Sequence, residues 1–411
     1  MKIFFHSEKK TKTYEDLIKE INEQKSIKKY IKEKEPYEII KNLIVSLIYG
    51  EKIELIDSEF TKEEIENLGL SEKKLKEKKI LEKIEIKNYE QIIKEIEKNK
   101  EIWEITLYTS GTTGRPKKVK HKLKTIARSV KKSEENKKNI WGYAYNPTHF
   151  AGLQVFFQTL YNKNSIIYIF DMERKKIEET LKKYGVTHIS ATPTYYRTML
   201  PYIKNEIPNM QKVTTGGEKY DQELEKQLQK IFPNAKIRNV YASTEAGSLF
   251  SSKGEIFKIS DRMKDKIKIN EEKELLIHKS LLGESETFEL TNEWYKTGDL
   301  VEKIEEKQFK FISRKTEMIN IGGYKVNPYE IEKEIKKIEG IKDVIVKARK
   351  NKITGNILVA LIQIEEKIDK KEKEKEINQK LKQNLQKWKI PRIIKFVETI
   401  ELTRTGKKVR N

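Results

Sequence analysis

Apolar residues recur along this chain with two different spacings, which predict a mixture of helices and strands. Thr13 and Asp16 have the spacing of a capping box, and Leu17 begins an apolar helical face after them. The stretch YEIIKNLIVSLIYG at 37–50 has helical spacing, whereas KIELID at 52–57 is typical of a strand. The first hundred residues are therefore expected to form helices and short strands.

From 104 to 299, short apolar runs alternate with helical stretches. The runs EITLYTS, SIIYIF, THISATP and KIRNVYAS are short and flanked by turn-forming residues. This alternation predicts an α/β domain whose sheets are mainly parallel and are flanked by helices. We place this large N-terminal domain at 1–313.

The pattern changes near 314, where a small α+β unit is predicted over 314–411. Asn327 has the chemistry of a helix N-cap, Pro328 suits the first helical position, and Glu330 is expected to complete the cap. Two strand-like runs, a Lys/Glu-rich helix at about 370–388 and a third strand follow. We expect this unit to be a small C-terminal domain.

The chain is basic, with 86 Lys and Arg against 64 Asp and Glu and a formal charge of +22. The lysines are spread over the whole length among many Glu and Ile, which indicates a solvated surface. Basic residues are not interleaved with aromatics, as a nucleic-acid platform would need, so no nucleic-acid partner is predicted. There is no cysteine, which excludes disulfides, thiolate metal sites and a cysteine nucleophile.

Neither a signal peptide nor a membrane span is predicted. The start, MKIFFHSEKK, lacks the long apolar stretch of a signal peptide, and the apolar run at 43–50 is too short to cross a bilayer. A cytoplasmic location is therefore expected.

A phosphate-binding loop is predicted at 107–117, which reads LYTSGTTGRPK. Glycines let the backbone fold around an anion, hydroxyls add donors and a lysine adds charge. No Gly-Lys-Ser/Thr follows the glycines, so this is not a Walker loop. The candidate anion-binding residues are Thr109, Ser110, Gly111, Thr112, Thr113, Gly114 and Lys117.

This loop resembles the phosphate loop of the adenylate-forming superfamily, which includes acyl-CoA synthetases, peptide synthetase adenylation domains and firefly luciferase. Position 118 is Lys where many members have Gly. Further segments resemble the family's later motifs in the same order: NPTHFAGL at 146–153, TPT at 192–194, TGGE at 215–218, NVYASTE at 239–245, WYKTGD at 294–299, 313–332 and LTRTGKKVR at 402–410. The phosphate loop lies nearer the N-terminus than is usual, which implies a trimmed first subdomain.

The resemblance implies roles for individual residues. Lys407 would be the catalytic lysine, with Lys408 as its near rival, and Thr244 and Glu245 would act on the α-phosphate and Mg²⁺. The remaining implied assignments are an acyl pocket at His149, Gly216 and Ala242, further ATP contacts at Gly217, Glu218, Tyr241, Asp299 and Arg314, a thiol tunnel at Gly322 and Gly323, and a hinge at Thr316.

The implied activity is ATP-dependent conversion of a carboxylic acid to an acyl-AMP, followed by transfer to a thiol. ATP and Mg²⁺ would be required, and the acceptor would be coenzyme A or the phosphopantetheine of an acidic acyl carrier protein. Amino-acid activators place an Asp near the acyl pocket, but 146–153 has no acidic residue, which favours an acid without an α-amino group. A non-catalytic ATP- or nucleic-acid-binding relative is the rival; it would lack Glu245, Asp299 or Lys407.

Overall fold

A computed structural model describes residues 1–109, 117–321, 324–351, 355–366, 368–402 and 408–409. The chain forms two compact units, one of 1–268 with 276–295 and the other of 269–275 with 296–411. The predicted domain limits, 1–313 and 314–411, stay predictions.

Helices of the described chain are α1 Tyr14–Glu23, α2 Pro36–Tyr49, α3 Lys62–Asn67, α4 Glu72–Lys76, α5 Tyr89–Lys98, α6 Leu123–Ile126, α7 Phe150–Tyr161, α8 Arg174–Lys183, α9 Pro193–Met199, α10 Gln222–Ile231, α11 Pro328–Lys336 and α12 Lys370–Asn384. The capping box of α1 is present, because Thr13 Oγ1 accepts from the Asp16 N–H at 3.1 Å and Asp16 Oδ2 accepts from the Thr13 N–H at 2.8 Å. Within the described residues, no helix is both long and apolar enough to cross a membrane.

Strands of the described chain are β1 Ile3–His6, β2 Thr11–Thr13, β3 Ser26–Lys28, β4 Tyr30–Ile31, β5 Ile53–Leu55, β6 Lys78–Ile80, β7 Glu104–Thr109, β8 Lys117–Lys122, β9 Ile140–Tyr143, β10 Ser165–Tyr168, β11 His188–Ala191, β12 Lys212–Gly216, β13 Lys236–Ser243, β14 Gly247–Ser252, β15 Ile256–Lys258, β16 Ile267–Ile269, β17 Glu274–His278, β18 Leu290–Thr291, β19 Trp294–Glu305, β20 Gln308–Arg314, β21 Ile319–Ile321, β22 Tyr324–Val326, β23 Ile341–Asn351, β24 Gly355–Ile364 and β25 Ile393–Phe396.

The largest sheet of the first unit has a parallel interior. Its described strands run in the order β14-β13-β12-β11-β9-β10-β1-β2, and every pair from β13 to β1 is parallel. Interior strands such as β10 are buried along their whole length, as expected where helices cover both faces of a sheet. The predicted α/β class with mainly parallel strands is confirmed.

A smaller sheet in the same unit carries the ends of the predicted phosphate loop. Its order is β4-β5-β7-β8, with β4, β5 and β7 parallel and β8 antiparallel to β7. Thr109 pairs with Lys117 where β7 ends and β8 begins. The hairpin therefore fixes both ends of the loop, while residues 110–116 lie outside the described residues.

The second unit contains an α+β arrangement with its own core. Strand β24 pairs antiparallel with β23 and parallel with β25, and both α11 and α12 contribute buried residues to the same cluster. Asn327 caps α11 by accepting from the Tyr329 N–H at 3.0 Å, as predicted. The expectation that Glu330 completes this cap is wrong, because its carboxylate accepts from Lys389 Nζ at 2.8 Å.

Candidate active site

Four neighbouring parallel strands of the large sheet place their carboxyl ends on one edge. Strands β9, β11, β12 and β13 run in the same direction, so the segments that follow or end them share that edge. These segments carry the predicted residues His149, Gly216, Gly217, Glu218, Tyr241, Ala242, Thr244 and Glu245. In open α/β sheets this is the edge where ligands bind.

Thr244 and Glu245 occupy the tip of the β13–β14 hairpin. Ser243 pairs with Gly247, which leaves Thr244, Glu245 and Ala246 as a three-residue connection. Gly247 has φ of +75°, the left-handed conformation that commonly closes such a connection. Both predicted side chains are partly exposed, and within the described residues neither forms a side-chain hydrogen bond or ion pair.

The hairpin tip suits a magnesium–nucleotide complex. Mg²⁺ takes oxygen ligands and is usually held by one or two carboxylates together with substrate phosphates. Among the described residues no group of three or more His, Asp or Glu could hold a metal without help. The partly exposed carboxylate of Glu245 has the chemistry of one ligand to a metal ion that arrives with ATP.

Backbone geometry explains the two glycines at the end of β12. A Cβ on Gly216 would lie 2.9 Å from the Val240 carbonyl oxygen of β13, so a side chain would force the strands apart. Gly217 has φ of +79°, a conformation that strains other residues. The glycines thus let the backbone of β12 pack closely against β13 and turn at its end.

Glu218 is held by side chains of α9. Thr194 Oγ1 donates to Glu218 Oε2 at 2.8 Å, and Arg197 Nη1 lies 3.7 Å from the same oxygen. Glu218 Oε1 is buried and has no hydrogen-bond partner in the described chain. The predicted contact of Glu218 with ATP stays a prediction, and its observed partners position it within the edge.

Sequence reasoning missed Asp57, which joins the predicted acyl-pocket segment. Asp57 is 4% exposed, and its Oδ2 lies 3.1 Å from His149 Nε2 and 3.3 Å from Asn146 Nδ2. Its Oδ1 accepts from the Glu59 N–H at 2.9 Å. Asp57 is therefore engaged in fixing His149, and 92 residues separate the pair in sequence, so no local pattern could have revealed it.

A second polar pair lies along the same edge. The Tyr145 hydroxyl is 3.5 Å from Ser190 Oγ, and burial raises the pKa of Tyr145 to about 12. The Tyr145 hydroxyl therefore keeps its proton at neutral pH and is available as a donor.

The unusual lysine at position 118 is anchored to the smaller sheet. Lys118 Nζ lies 3.1 Å from the Glu54 carboxylate, which also accepts from the Tyr108 hydroxyl. Glu54 is buried in β5. The side chain that replaces the family's usual glycine thus binds the sheet next to Lys117, the last residue of the predicted phosphate loop.

In the second unit, Asp299 and Arg314 are partners across β19 and β20. They are directly paired in the antiparallel register, and Arg314 Nε lies 3.0 Å from Asp299 Oδ1. Asp299 is 3% exposed, whereas the Arg314 side chain is about half exposed. The structure thus brings together the two residues predicted to share the ribose, and that role stays a prediction.

Of the remaining predicted residues, the structure describes Thr316. Thr316 lies in a one-turn 3₁₀ helix, Lys315–Glu317, directly after β20. Gly322, Gly323 and Lys407 fall outside the described residues. Their assignments to the thiol tunnel and to catalysis stay predictions.

An exposed aromatic pair in the second unit was not foreseen, and one of its members, Tyr324, follows Gly323 directly in sequence. Tyr324 and Trp388 stack with ring centroids 4.5 Å apart and planes 16° from parallel. Both rings are exposed, and Lys387 and Lys389 flank Trp388 in sequence. Such a surface offers an exposed aromatic face.

These features belong to a known class of enzyme. Residues 38–269, more than half of the chain, match the AMP-binding enzyme family, and residues 330–407 match the AMP-binding enzyme C-terminal domain. The chain belongs to the AMP-binding enzyme family, and the resemblance inferred from its motifs is confirmed.

Two curated relatives illustrate the range of the family. Bacitracin synthase 3 of Bacillus licheniformis is 26% identical over 345 residues, which cover 73% of this chain but 5% of that protein. The 2-succinylbenzoate–CoA ligase of Listeria monocytogenes serotype 4b is 28% identical over 338 residues, covering 76% of this chain and 70% of the ligase.

Solved structures share the fold over nearly the whole chain. The o-succinylbenzoate CoA synthetase of Bacillus subtilis, in complex with its acyl-adenylate intermediate, has a TM-score of 0.72 at 19% identity and covers 100% of this chain and 94% of its own. ATP-bound MatB from Rhodopseudomonas palustris has a TM-score of 0.72 at 15% identity, with 99% and 94% covered. At these identities the likeness establishes the fold.

Proposed function

We propose that this protein is an AMP-forming acid–thiol ligase. It activates a carboxylic acid with ATP as an acyl-AMP, releases pyrophosphate and transfers the acyl group to coenzyme A. The observation that carries the proposal is the hairpin tip at the ligand-binding edge of a parallel sheet, where Thr244 and Glu245 have side chains without protein partners in the described chain.

The first step joins two anions, so its main demand is for positive charge and oriented donors. A carboxylate oxygen attacks the α-phosphorus of ATP, and the bond to the bridging oxygen of the β-phosphate breaks to release pyrophosphate. Thr244 donates to the α-phosphate, and Lys407 stabilises the developing negative charge. Glu245 would hold Mg²⁺, which would supply positive charge to offset the phosphates.

The second step needs a leaving group and an approach path for the thiol. The thiol sulfur attacks the acyl carbon and loses its proton, and AMP departs with the electron pair of the broken acyl–oxygen bond. Asp299 and Arg314 would hold the ribose through both steps, because a carboxylate accepts from hydroxyls and a guanidinium donates to them.

Coenzyme A is the proposed acceptor. The exposed Tyr324–Trp388 stack provides an aromatic face that suits the adenine of coenzyme A, and Lys387, next to Trp388 in sequence, adds a positive charge for its phosphates. Several relatives are named CoA ligases, including the Listeria protein. An acidic acyl carrier protein is the alternative acceptor, and the formal charge of +22 favours its approach.

An acid without an α-amino group is the proposed substrate. Asp57, the acidic side chain that reaches 146–149, is engaged by His149, Asn146 and the Glu59 backbone. It is therefore not available to hold a substrate ammonium group. Aryl acids are the preferred class, in line with the named 2-succinylbenzoate ligases.

ATP–pyrophosphate exchange against a panel of aryl, aliphatic and amino acids tests the proposal. We expect acid-dependent exchange that is highest with an aryl or aliphatic acid and requires Mg²⁺. Exchange with amino acids alone would contradict the substrate class. ATP binding without exchange for any acid would favour the non-catalytic rival.

A further inference from the structure

Every backbone carbonyl at the tip of the β13–β14 hairpin is bound by a group from outside the hairpin. His121 Nε2 donates to the Thr244 carbonyl at 2.7 Å, and the Gly283 N–H donates to the Glu245 carbonyl at 2.8 Å. The Arg128 guanidinium donates to the Ala246 carbonyl through Nη2. Three consecutive carbonyls thus have three separate donors.

This arrangement leaves the backbone fixed and the side chains available. The tip of a hairpin normally lies at the surface, where its carbonyl groups are satisfied by water. Here the Thr244 and Glu245 side chains have no hydrogen bond or ion pair within the described residues, although their carbonyls are bound. The contacts therefore set the direction of these two side chains without occupying them.

The donors are themselves held in place. His121 is 1% exposed, and its ring packs against Phe150 with centroids 5.8 Å apart. Because a carbonyl can only accept, Nε2 of His121 carries the proton in this contact. A Cβ on Gly283 would lie 2.7 Å from His121 Cε1, so glycine is required for this approach. Arg128 also donates to the Leu281 carbonyl at 3.3 Å.

The loop that contains Gly283 also connects the hairpin tip to β8, the strand that follows the predicted phosphate loop. Lys120 and Glu284 exchange backbone hydrogen bonds of 2.8 and 2.7 Å, and their side chains form an ion pair of 2.6 Å. Ser285 Oγ donates to the Lys118 carbonyl at 2.5 Å. Residues 281–285 therefore join β8 and the hairpin tip.

We propose that His121, Arg128 and Gly283 form a carbonyl clamp that positions Thr244 and Glu245 for the magnesium–ATP complex. His121 and Arg128 are then positioning residues, since they act through the hairpin backbone. The inference rests on the proposed role of Glu245 as the Mg²⁺ ligand. A catalytic carboxylate displaced by about 1 Å can lower a rate by about 100-fold, so fixing this backbone matters for adenylation.

His121→Leu tests the clamp, because leucine removes the donor to Thr244. We expect the Mg²⁺ concentration for half-maximal pyrophosphate exchange to rise by about 10- to 100-fold, the usual effect of losing a group that orients a metal ligand. Thioester formation from supplied acyl-AMP, which needs no Mg²⁺–ATP, should stay at the wild-type rate. His121→Gln keeps a hydrogen-bond donor at a similar reach. The Mg²⁺ concentration for half-maximal exchange in this variant should therefore lie close to the wild-type value.

Arg128→Leu should raise the Mg²⁺ concentration for half-maximal exchange in the same way. Arg128→Lys keeps a donor and should raise that concentration less. The matched control is His188→Gln, which alters a partly buried histidine of the first unit, on β11, outside the clamp. This control should leave the Mg²⁺ dependence unchanged. A folded His121→Leu protein with wild-type Mg²⁺ dependence would overturn the proposal, as would equal loss of both half-reactions.

Calorimetry separates failure of the clamp from failure of the proposed function. ATP binding to wild type and to His121→Leu is measured with and without Mg²⁺. If the wild type shows no acid-dependent exchange, the proposed function is wrong. The clamp still predicts that Mg²⁺ strengthens ATP binding less in His121→Leu than in the wild type, and an equal gain in both proteins would refute it.

Discussion

At the scale of single residues, the surroundings of Lys408 distinguish two neighbouring lysines. Lys408 Nζ lies 2.5 Å from Asp343 Oδ1 and donates to the Val344 carbonyl at 2.9 Å, and its side chain is 10% exposed. These contacts bind Lys408 to the core of the second unit. Lys408 is thus engaged in structure, which favours Lys407 as the lysine that acts on substrates.

Lys407→Ala should lower acyl-AMP formation by about 100- to 1,000-fold, because one oriented charge in the first step is lost. Thioester formation from supplied acyl-AMP should be spared. Lys408→Ala is the matched control; Asp343 keeps Lys336 Nζ at 3.2 Å, so stability should fall by only about 1 to 2 kcal/mol. Rapid-quench measurement of both half-reactions on folded protein distinguishes the two lysines. Loss of acyl-AMP formation in Lys408→Ala but not in Lys407→Ala would assign catalysis to Lys408.

Asp299→Ala should weaken ATP binding by about 10- to 100-fold, because hydrogen bonds from the ribose hydroxyls to a charged acceptor are lost. Glu302→Ala is the control, since Glu302 is an exposed carboxylate on the same strand, β19. Isothermal titration with ATP is the measurement. Unchanged ATP affinity in Asp299→Ala would remove this residue from the nucleotide site.

At the scale of elements, the short helix Lys315–Glu317 offers a test of the predicted hinge. Proline has φ near −65°, which fits the first turn of a 3₁₀ helix, so Thr316→Pro should keep this local conformation and restrict others. We expect near-normal adenylation with impaired thiol transfer. Thr316→Ala leaves φ free and should preserve both half-reactions; equal loss of both in Thr316→Pro would place the hinge elsewhere.

The free energy of unfolding should depend on pH through His188, which lies on β11. Burial, with a smaller contribution from Lys212, lowers the pKa of His188 to about 4 from its ordinary value near 6.5. The unfolded chain therefore takes up this proton first, so stability is full above about pH 6.5 and falls as pH drops toward 4. By pH 5 the loss should be about 2 kcal/mol.

Urea unfolding at pH 7 and pH 5 measures this loss of stability. His188→Gln has no imidazole to titrate, so its stability should fall by less than that of the wild type over the same range. An identical decrease in both proteins would show that His188 titrates normally in the folded state.

Local patterns identified many elements but few of the long-range partners. The capping box at Thr13, helix α2 and the parallel strands follow from periodicity and turn residues, which act over a few positions. The contact of His121 with Thr244 spans 123 residues. Such pairs depend on how distant segments pack, so motif order located Thr244 and Glu245 but not the groups that position them.

At the scale of the whole molecule, the formal charge of +22 does not distinguish between the two candidate acceptors. Both coenzyme A and an acidic carrier protein are attracted by a basic surface. Association with a carrier should slow steeply as salt shortens the Debye length, from about 30 Å at 0.01 M to about 8 Å at 0.15 M. Coenzyme A binds through fewer charges, so its association rate should fall less as salt is added.

Thioester formation from supplied acyl-AMP, at these two ionic strengths, compares the acceptors. We expect turnover with coenzyme A at both, and little with a phosphopantetheinylated carrier protein. Turnover with the carrier alone, falling sharply with salt, would make this protein a carrier-protein ligase.

In the proposed reaction, a carboxylate oxygen of the acid becomes bonded to the α-phosphorus of ATP. The direct measurement uses the best acid of the panel, labelled with ¹⁸O in its carboxyl group, together with ATP, Mg²⁺ and coenzyme A. Mass spectrometry should find one ¹⁸O in the AMP released and none in pyrophosphate. Label in inorganic phosphate with formation of ADP, or unlabelled AMP, would contradict adenylation of the acid.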